Sequence, residues 1–309
     1  MSDKHYQREV YGKTLVELGK KYKNIVVLDA DLSGSTKTKL FSQAYPNRFF
    51  NFGVAEQNMM ATAAGLASCG KVVFASTFAM FASGRAWDQV RNTVSYNNFD
   101  VKIVATHAGI SVGEDGASHQ AIEDISLMHS IPNLKVIVPC DGPETKDAVV
   151  AAFKTPGPFY IRLGRAKVPT VSEKKPFKLG KSYILRDGKD VAVFACGTMV
   201  FEALKAEEAL KKEGISAKVI NMHTIRPLDE AMIIKCAQET KGLVVCEEHS
   251  VVGGLTSVIN QVVCENAPTK VIPVGIRNRF GQSGSPAELF KEYNLVDSDI
   301  VSAVKRILS

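Results

Sequence analysis

A chain of 309 residues is long enough to bury two cores of ordinary size. With 45% hydrophobic and 23% charged residues, it is neither collagen-like, coiled-coil nor disordered. The net charge of +6, from 38 basic and 32 acidic side chains, contains no block of like charges, which excludes a nucleic-acid-binding footprint.

A helical pattern from Tyr6 to Gly19 leads into IVVLDAD (Ile25 to Asp31), a β-branched run suited to a buried parallel strand. Apolar helices at about 55–69, 77–96, 119–130 and 143–154 then alternate with strands at 71–75, 101–106, 134–139 and 158–163. This alternation predicts an α/β fold with a doubly wound parallel sheet. The segment 164–180, GRAKVPTVSEKKPFKLG, gathers Lys and Pro and loses periodicity. It reads as an interdomain connection and sets expected domains at 1–166 and 182–309, with a linker at 167–181. Beyond it, strands at 182–185, 191–195, 217–221, 242–247 and 270–276 alternate with helices near 199–212, 229–240 and 254–264. Two short helices near 286–292 and 297–308 complete a second, smaller α/β domain.

No apolar stretch approaches the roughly 18 residues that span a bilayer, and MSDKHYQREV lacks a signal-peptide core. The six cysteines lie far apart, with no metal-ligand spacing, and all but one read as buried thiols. These features predict a cytoplasmic protein without a membrane contact.

Three motifs invite chemistry. Gly65 to Lys71 nearly fits a P-loop, but Val72 stands where Ser or Thr is required and a helix precedes it, so Gly70 reads as a helix C-cap. Gly109-Ile110-Ser111-Val112-Gly113 matches a nucleophile elbow, yet EDGASHQ follows instead of a helix, which makes Ser111 a loop residue. The third is that loop itself, Thr106 to Gln120, at a strand C-terminus where open α/β sheets bind ligands. Its glycines allow close backbone approach, and His107, Glu114, Asp115 and His119 offer proton transfer and hydroxyl recognition. Glu56 opens a helix rich in Ala, Met and Leu. It can complement the helix dipole, or be desolvated so that its pKa rises and it holds a proton. Phe78, Phe81 and Trp87 recur near helical spacing, a pattern that by itself means core packing.

In order along the chain, LDADLSGSTKT, NFGVAEQNMM, STFAMF, GEDGASHQ, VIVPCDGPET and YIRLGR resemble the thiamine diphosphate-dependent transketolase family. The resemblance covers the pyrimidine-binding and C-terminal domains and looks like the C-terminal section of a split transketolase. It implies transfer of a two-carbon ketol unit from a ketose phosphate to an aldose phosphate. The family's G-D-G with a later Asn pair is missing: Glu114-Asp115-Gly116, Cys140-Asp141-Gly142 and Arg186-Asp187-Gly188 all lack it. The resemblance therefore implies that no metal ligand lies on this chain. Mg2+ and the diphosphate would be held mainly by a separate N-terminal subunit, in an α2β2 assembly.

The same resemblance assigns roles. Glu56 would hydrogen-bond N1′ of the cofactor's aminopyrimidine and drive the tautomer that deprotonates C2. Phe78 and Phe81 would wall that ring, and Asp31 would lie beside the thiazolium. Trp87 falls later than the aromatic pattern expects. His119 would exchange protons with substrate hydroxyls, and Asp115 would read their configuration. Arg8, Ser35, His107 and Arg165 would hold the substrate phosphate; Arg162 competes for the last place, but the spacing favours Arg165. For residues 182–309 the resemblance implies a fold and a place in dimerisation. Rival readings are a deoxyxylulose-phosphate synthase fragment, which Glu114 disfavours, and a 2-oxoacid dehydrogenase β-subunit, which typically lacks GEDG-x-x-HQ. A non-catalytic paralogue is the remaining rival, which the presence of Glu56 disfavours.

Overall fold

Residues 3–172 and 176–309 are described by the structure, a computed structural model. The first half contains β1 (Lys4–Tyr6), α1 (Gln7–Lys21), β2 (Ile25–Asp29), α2 (Ser33–Thr36), α3 (Lys39–Ala44) and β3 (Phe49–Asn51). It continues with α4 (Glu56–Ser68), β4 (Val72–Phe78), β5 (Val101–Thr106), α5 (Asp124–His129), β6 (Lys135–Ile137), α6 (Gly142–Lys154), β7 (Phe159–Arg162) and β8 (Lys167–Pro169). The second half contains β9 (Tyr183–Arg186), β10 (Val191–Ala195), α7 (Met199–Lys212), β11 (Ala217–Asn221), β12 (Thr224–Arg226) and α8 (Glu230–Glu239). It closes with β13 (Leu243–Ser250), α9 (Leu255–Asn266), β14 (Val271–Ile276), α10 (Pro286–Glu292) and α11 (Asp297–Leu308).

Strands β2, β4, β5 and β7 are buried along their whole length, as continuous apolar runs require when helices cover both faces of a parallel sheet. They form the centre of a seven-stranded sheet of order β12-β6-β7-β5-β4-β2-β3. A five-stranded sheet, β14-β13-β10-β11-β9, carries the second half, with β9 antiparallel at its edge. The edge strand β12 comes from the second half yet pairs antiparallel with β6. One apolar cluster accordingly runs from Val26 and Met59 through Phe194 to Ile259.

Several predicted boundaries move. Strand 71–75 extends to Phe78, because Ser76, Thr77 and Phe78 continue the parallel ladder with Val104, Ala105 and Thr106. The predicted helix 77–96 is replaced by two π-helical stretches, Phe81–Arg85 and Gln89–Ser95. The predicted helix 119–130 begins only at Asp124, while Ser111 lies in a 3-10 turn spanning Ile110–Asp115. Within the predicted linker, Lys167–Pro169 forms β8, paired antiparallel with Lys4–Tyr6; residues 173–175 lie outside the described residues. Gly70 takes φ +79° just beyond α4, as the C-cap reading requires. All six cysteines are free, but Cys69 and Cys264 are both exposed, so four rather than five are buried. No described helix is long and apolar enough to cross a membrane.

Asp141 joins this connection to the core. Its Oδ1 caps α6 by accepting from the Glu144 amide at 3.0 Å, and its Oδ2 accepts from the amides of Val171 and Ser172, each at 2.7 Å. Asp141→Ala removes a cap worth about 1 kcal/mol and strands the buried Ser172 amide at about 1–3 kcal/mol, so a loss of about 2–4 kcal/mol is expected. Urea unfolding measures it, and a loss below about 1 kcal/mol would show that water replaces the carboxylate.

Candidate active site

The C-terminal ends of β4 and β5 meet the first turn of α4, and the sequence places a different chemical group at each. Glu56 is the first residue of α4 and 1% exposed. Its Oε2 pairs with Arg85 Nη1 at 2.8 Å, while Oε1 makes no hydrogen bond among the described residues. Arg85 also lies over the Phe81 ring, 4.8 Å from its centroid. Phe78, at the end of β4, stacks with Phe81 at 6.0 Å and an interplanar angle of 13°. His119 meets Phe81 edge-on at 5.5 Å, and His107 stacks on Phe78 at 3.8 Å. Glu56, Phe78, Phe81, His107 and His119 thus form one continuous group lined by aromatic faces.

A cationic cavity of about 370 Å³ is lined by Tyr6, Arg8, Ser111, Glu114, Arg165 and Lys167. Arg8, on the first turn of α1, donates to the backbone carbonyl of Ser35 at 3.1 Å, while Ser35 is not among the residues that line the cavity. Arg8 Nε is buried without a partner among the described residues. Burial and the nearby Arg165 charge both lower the Arg8 pKa, the signature of two guanidinium groups facing a space suited to an anion. Arg165 follows β7 and donates to Glu114 Oε2 at 2.9 Å and to the Val112 carbonyl. Arg162 is absorbed elsewhere: it is 6% exposed and pairs with Asp124 at 2.8 Å.

His107, expected to help hold the substrate phosphate, is strongly desolvated. Burial, then the charges of Arg8, Arg165 and His119, lower its pKa from the ordinary 6.5 to about 3. It is a neutral ring at physiological pH, with Nδ1 in a 2.9 Å hydrogen bond to Thr106 Oγ1. His119 is half-buried, with Nδ1 3.0 Å from Ser118 Oγ. Asp115 is exposed at the end of the 3-10 turn. Asp31 is exposed beyond β2, with φ +63° and its amide bound to Asn51 Oδ1 at 2.9 Å; no hydrogen bond or ion pair connects it to the aromatic group. Trp87 donates to the Leu127 carbonyl at 3.0 Å and packs against the core.

Sequence reading missed Arg85, whose contact with Glu56 depends on a π-helical turn that no periodicity announces. It also missed Gln120, which closes the loop by donating to the carbonyls of Ile110, Gly113 and Gln282.

Residues 4–170 match the model of the transketolase pyrimidine-binding domain, and residues 180–300 match that of the transketolase C-terminal domain. The chain belongs to the transketolase family. It is 51% identical over 306 residues to a Methanocaldococcus jannaschii chain provisionally named a transketolase C-terminal section, covering 97% of this chain and 95% of that one. A solved structure described as a split-gene transketolase, inactive β4 tetramer, superposes with a TM-score of 0.91 at 49% identity and 98% coverage of both chains. The transketolase of Rattus norvegicus is 36% identical over 314 residues, which cover all of this chain but only 50% of that protein. A pyrimidine-binding domain of this family implies thiamine diphosphate as its cofactor. The structure fits such a ring, since Phe78 and Phe81 provide a flat wall and the free Oε1 of Glu56 a polar partner.

The folded-state pKa of His107 lies below its unfolded value, so the unfolded chain takes up this proton first. Stability is then expected to fall as pH drops from about 6.5 towards 3, by up to about 1.4 kcal/mol per unit. Imidazole NMR should show His107 neutral at pH 5, and His107→Gln should reduce the acid sensitivity of the urea midpoint. A ring that titrates near 6.5 would contradict the desolvated environment.

Proposed function

We propose that this chain is the C-terminal-section subunit of a split transketolase, moving a two-carbon ketol unit from a ketose phosphate to an aldose phosphate. The reading is carried by His107, which stacks on Phe78 in the aromatic group and feels the charges of Arg8 and Arg165, two residues that line the cationic cavity.

When bound, thiamine diphosphate supplies the nucleophilic carbon that accepts and releases the two-carbon unit. The residues of this chain do the rest. Glu56 holds a proton toward N1′ of the ring, which requires Arg85 to turn away from Oε2 or to leave the proton on Oε1. Phe78 and Phe81 fix the ring plane and exclude water, and His119, edge-on to Phe81, exchanges protons with substrate hydroxyls. Asp115 reads hydroxyl configuration, and Asp31 lies at the thiazolium side. Arg8, Ser35, neutral His107 and Arg165 hold the phosphate, with the two guanidinium groups supplying charge and His107 a single N–H. Mg2+ and the diphosphate fall to a separate N-terminal subunit, in an α2β2 assembly, because this chain lacks the G-D-G motif. The description of the solved relative as a split-gene, inactive β4 tetramer supports that division. Free cysteines support a reducing, cytoplasmic setting.

Mixing this chain with its diphosphate-binding partner should create activity that neither has alone, and calorimetry should find tight cofactor binding only for the mixture. Tight binding to this chain alone would overturn the split-subunit reading. In the assembly, Glu56→Gln should slow C2 proton exchange of the cofactor by about 10²- to 10⁴-fold, the usual worth of a general acid or base. Exchange at the wild-type rate would remove Glu56 from the mechanism.

Arg165→Ala should raise KM for a phosphorylated acceptor by about 10-fold or more while turnover at saturation changes little, because the phosphate is remote from the reacting carbon. Free ribose should hardly register the change. Equal KM ratios for ribose 5-phosphate and ribose would sink the phosphate clamp.

A further inference from the structure

Ser111 is 2% exposed, and its Oγ makes no well-formed hydrogen bond among the described residues, although it lies near enough to the Glu248 carboxylate to lower that group's pKa. Buried hydroxyls are rarely left this way unless a ligand, water or ion completes them. The residue itself is among those that line the cationic cavity, together with Arg8 and Arg165. Gly164 lies beside it: an added Cβ there would come within 3.9 Å of Ser111 Oγ and 3.5 Å of Gln7 Oε1.

The Ser111 backbone is not free to drift. Its amide donates to Glu248 Oε1 at 2.6 Å, across 137 residues of sequence, and Glu248 Oε2 accepts from Thr198 Oγ1 at 2.8 Å. Glu248 belongs to β13 and is 3% exposed. Gly109, at φ +78°, admits this carboxylate, because a Cβ there would come within 2.2 Å of Glu248 Oε1. A buried carboxylate is costly to desolvate, and this one spends both oxygens holding a single loop amide and the hydroxyl that precedes α7.

We propose that Ser111 is a further contact to the anionic end of the substrate, and that Glu248 is the positioning residue that presents it. The inference rests on the transketolase reading given above and deepens it: the substrate class is one with a terminal phosphate or a comparable oxyanion. The hydroxyl donates to that oxyanion between the two guanidinium groups. The carboxylate from the second sheet sets its height.

The test compares variants in the enzyme assembled with its partner subunit, with xylulose 5-phosphate as donor and ribose 5-phosphate or free ribose as acceptor. Ser111→Ala should raise KM for ribose 5-phosphate by about 5- to 10-fold, the weight of one hydrogen bond to a charged group, with turnover at saturation and the ribose KM nearly unchanged. Glu248→Ala should raise the same KM by about tenfold or more, since small misplacements of positioning groups are expensive. Glu248→Gln, whose amide oxygen can still accept from Ser111, should recover to within about threefold of wild type. Cofactor C2 proton exchange, set by Glu56, should stay close to wild type in all three. Equal KM ratios for the two acceptors in Ser111→Ala, or C2 exchange that falls in parallel with turnover, would overturn the proposal. If Glu248→Ala does not fold, Ser111→Ala and Glu248→Gln decide it alone. Absence of two-carbon transfer in the wild-type assembly would instead defeat the transketolase reading. Ser111 is then judged by titrating ribose 5-phosphate into the full chain, where equal affinity of wild type and Ser111→Ala overturns its role.

Discussion

The buried guanidinium of Arg162 is the fastening on which the candidate site depends. Burial works against its charge, but Asp124 and Glu248 more than offset this and leave the pKa raised. Nε reaches both oxygens of Asp124, at 3.1 and 2.8 Å, and Tyr160 donates to the same carboxylate at 2.7 Å. Nη2 takes the carbonyls of Ala121 and Glu248. One side chain thereby joins β7, the end of the loop 107–121 and β13. Removal of either charged partner would leave the other buried and unpaired, which is far more costly than absence of the pair.

From that fastening hangs a loop whose backbone would be prohibitive for most sequences. His107, Gly109, Gly113 and Gly116 all take positive φ, between +58° and +85°. At Gly109 a side chain would strike Glu248, and at Gly116 it would meet Ser283 Oγ at 2.8 Å. His107 accepts the strained conformation because its ring stacks on Phe78 and its Nδ1 is bound to Thr106. Strain of this kind is held only where the surroundings over-determine it. Here they do so from both sheets.

The second half of the chain is therefore more than an assembly surface. It lends β12 to the first sheet and places Glu248, Thr198 and the carbonyl of Gln282 behind the loop. His107, desolvated and neutral, stacks on Phe78 and feels the charges of Arg8 and Arg165 without adding one of its own.

Alternation of apolar helices and β-branched runs was enough to show two α/β units, because a parallel sheet buried on both faces leaves no other composition for its strands. The resemblance of short motifs pointed to Glu56, Phe78, Phe81, His107, His119, Arg8 and Arg165, and the fold brings all of these into two adjoining compartments. Asp31 and Asp115 are exposed. The periodic signal failed at 77–96, where strand pairing extended β4 to Phe78 and π-helical turns carried Arg85 onto Glu56. The lysine and proline content of 164–180 hid β8, since a three-residue strand leaves no period to detect. Composition and motif order are local properties, and one sequence determines them without reference to distance. The neutrality of His107, the saturation of Arg162 and the tether from Glu248 to Ser111 arise from groups 38 to 137 residues apart meeting where water is excluded, and only the tertiary structure decides that.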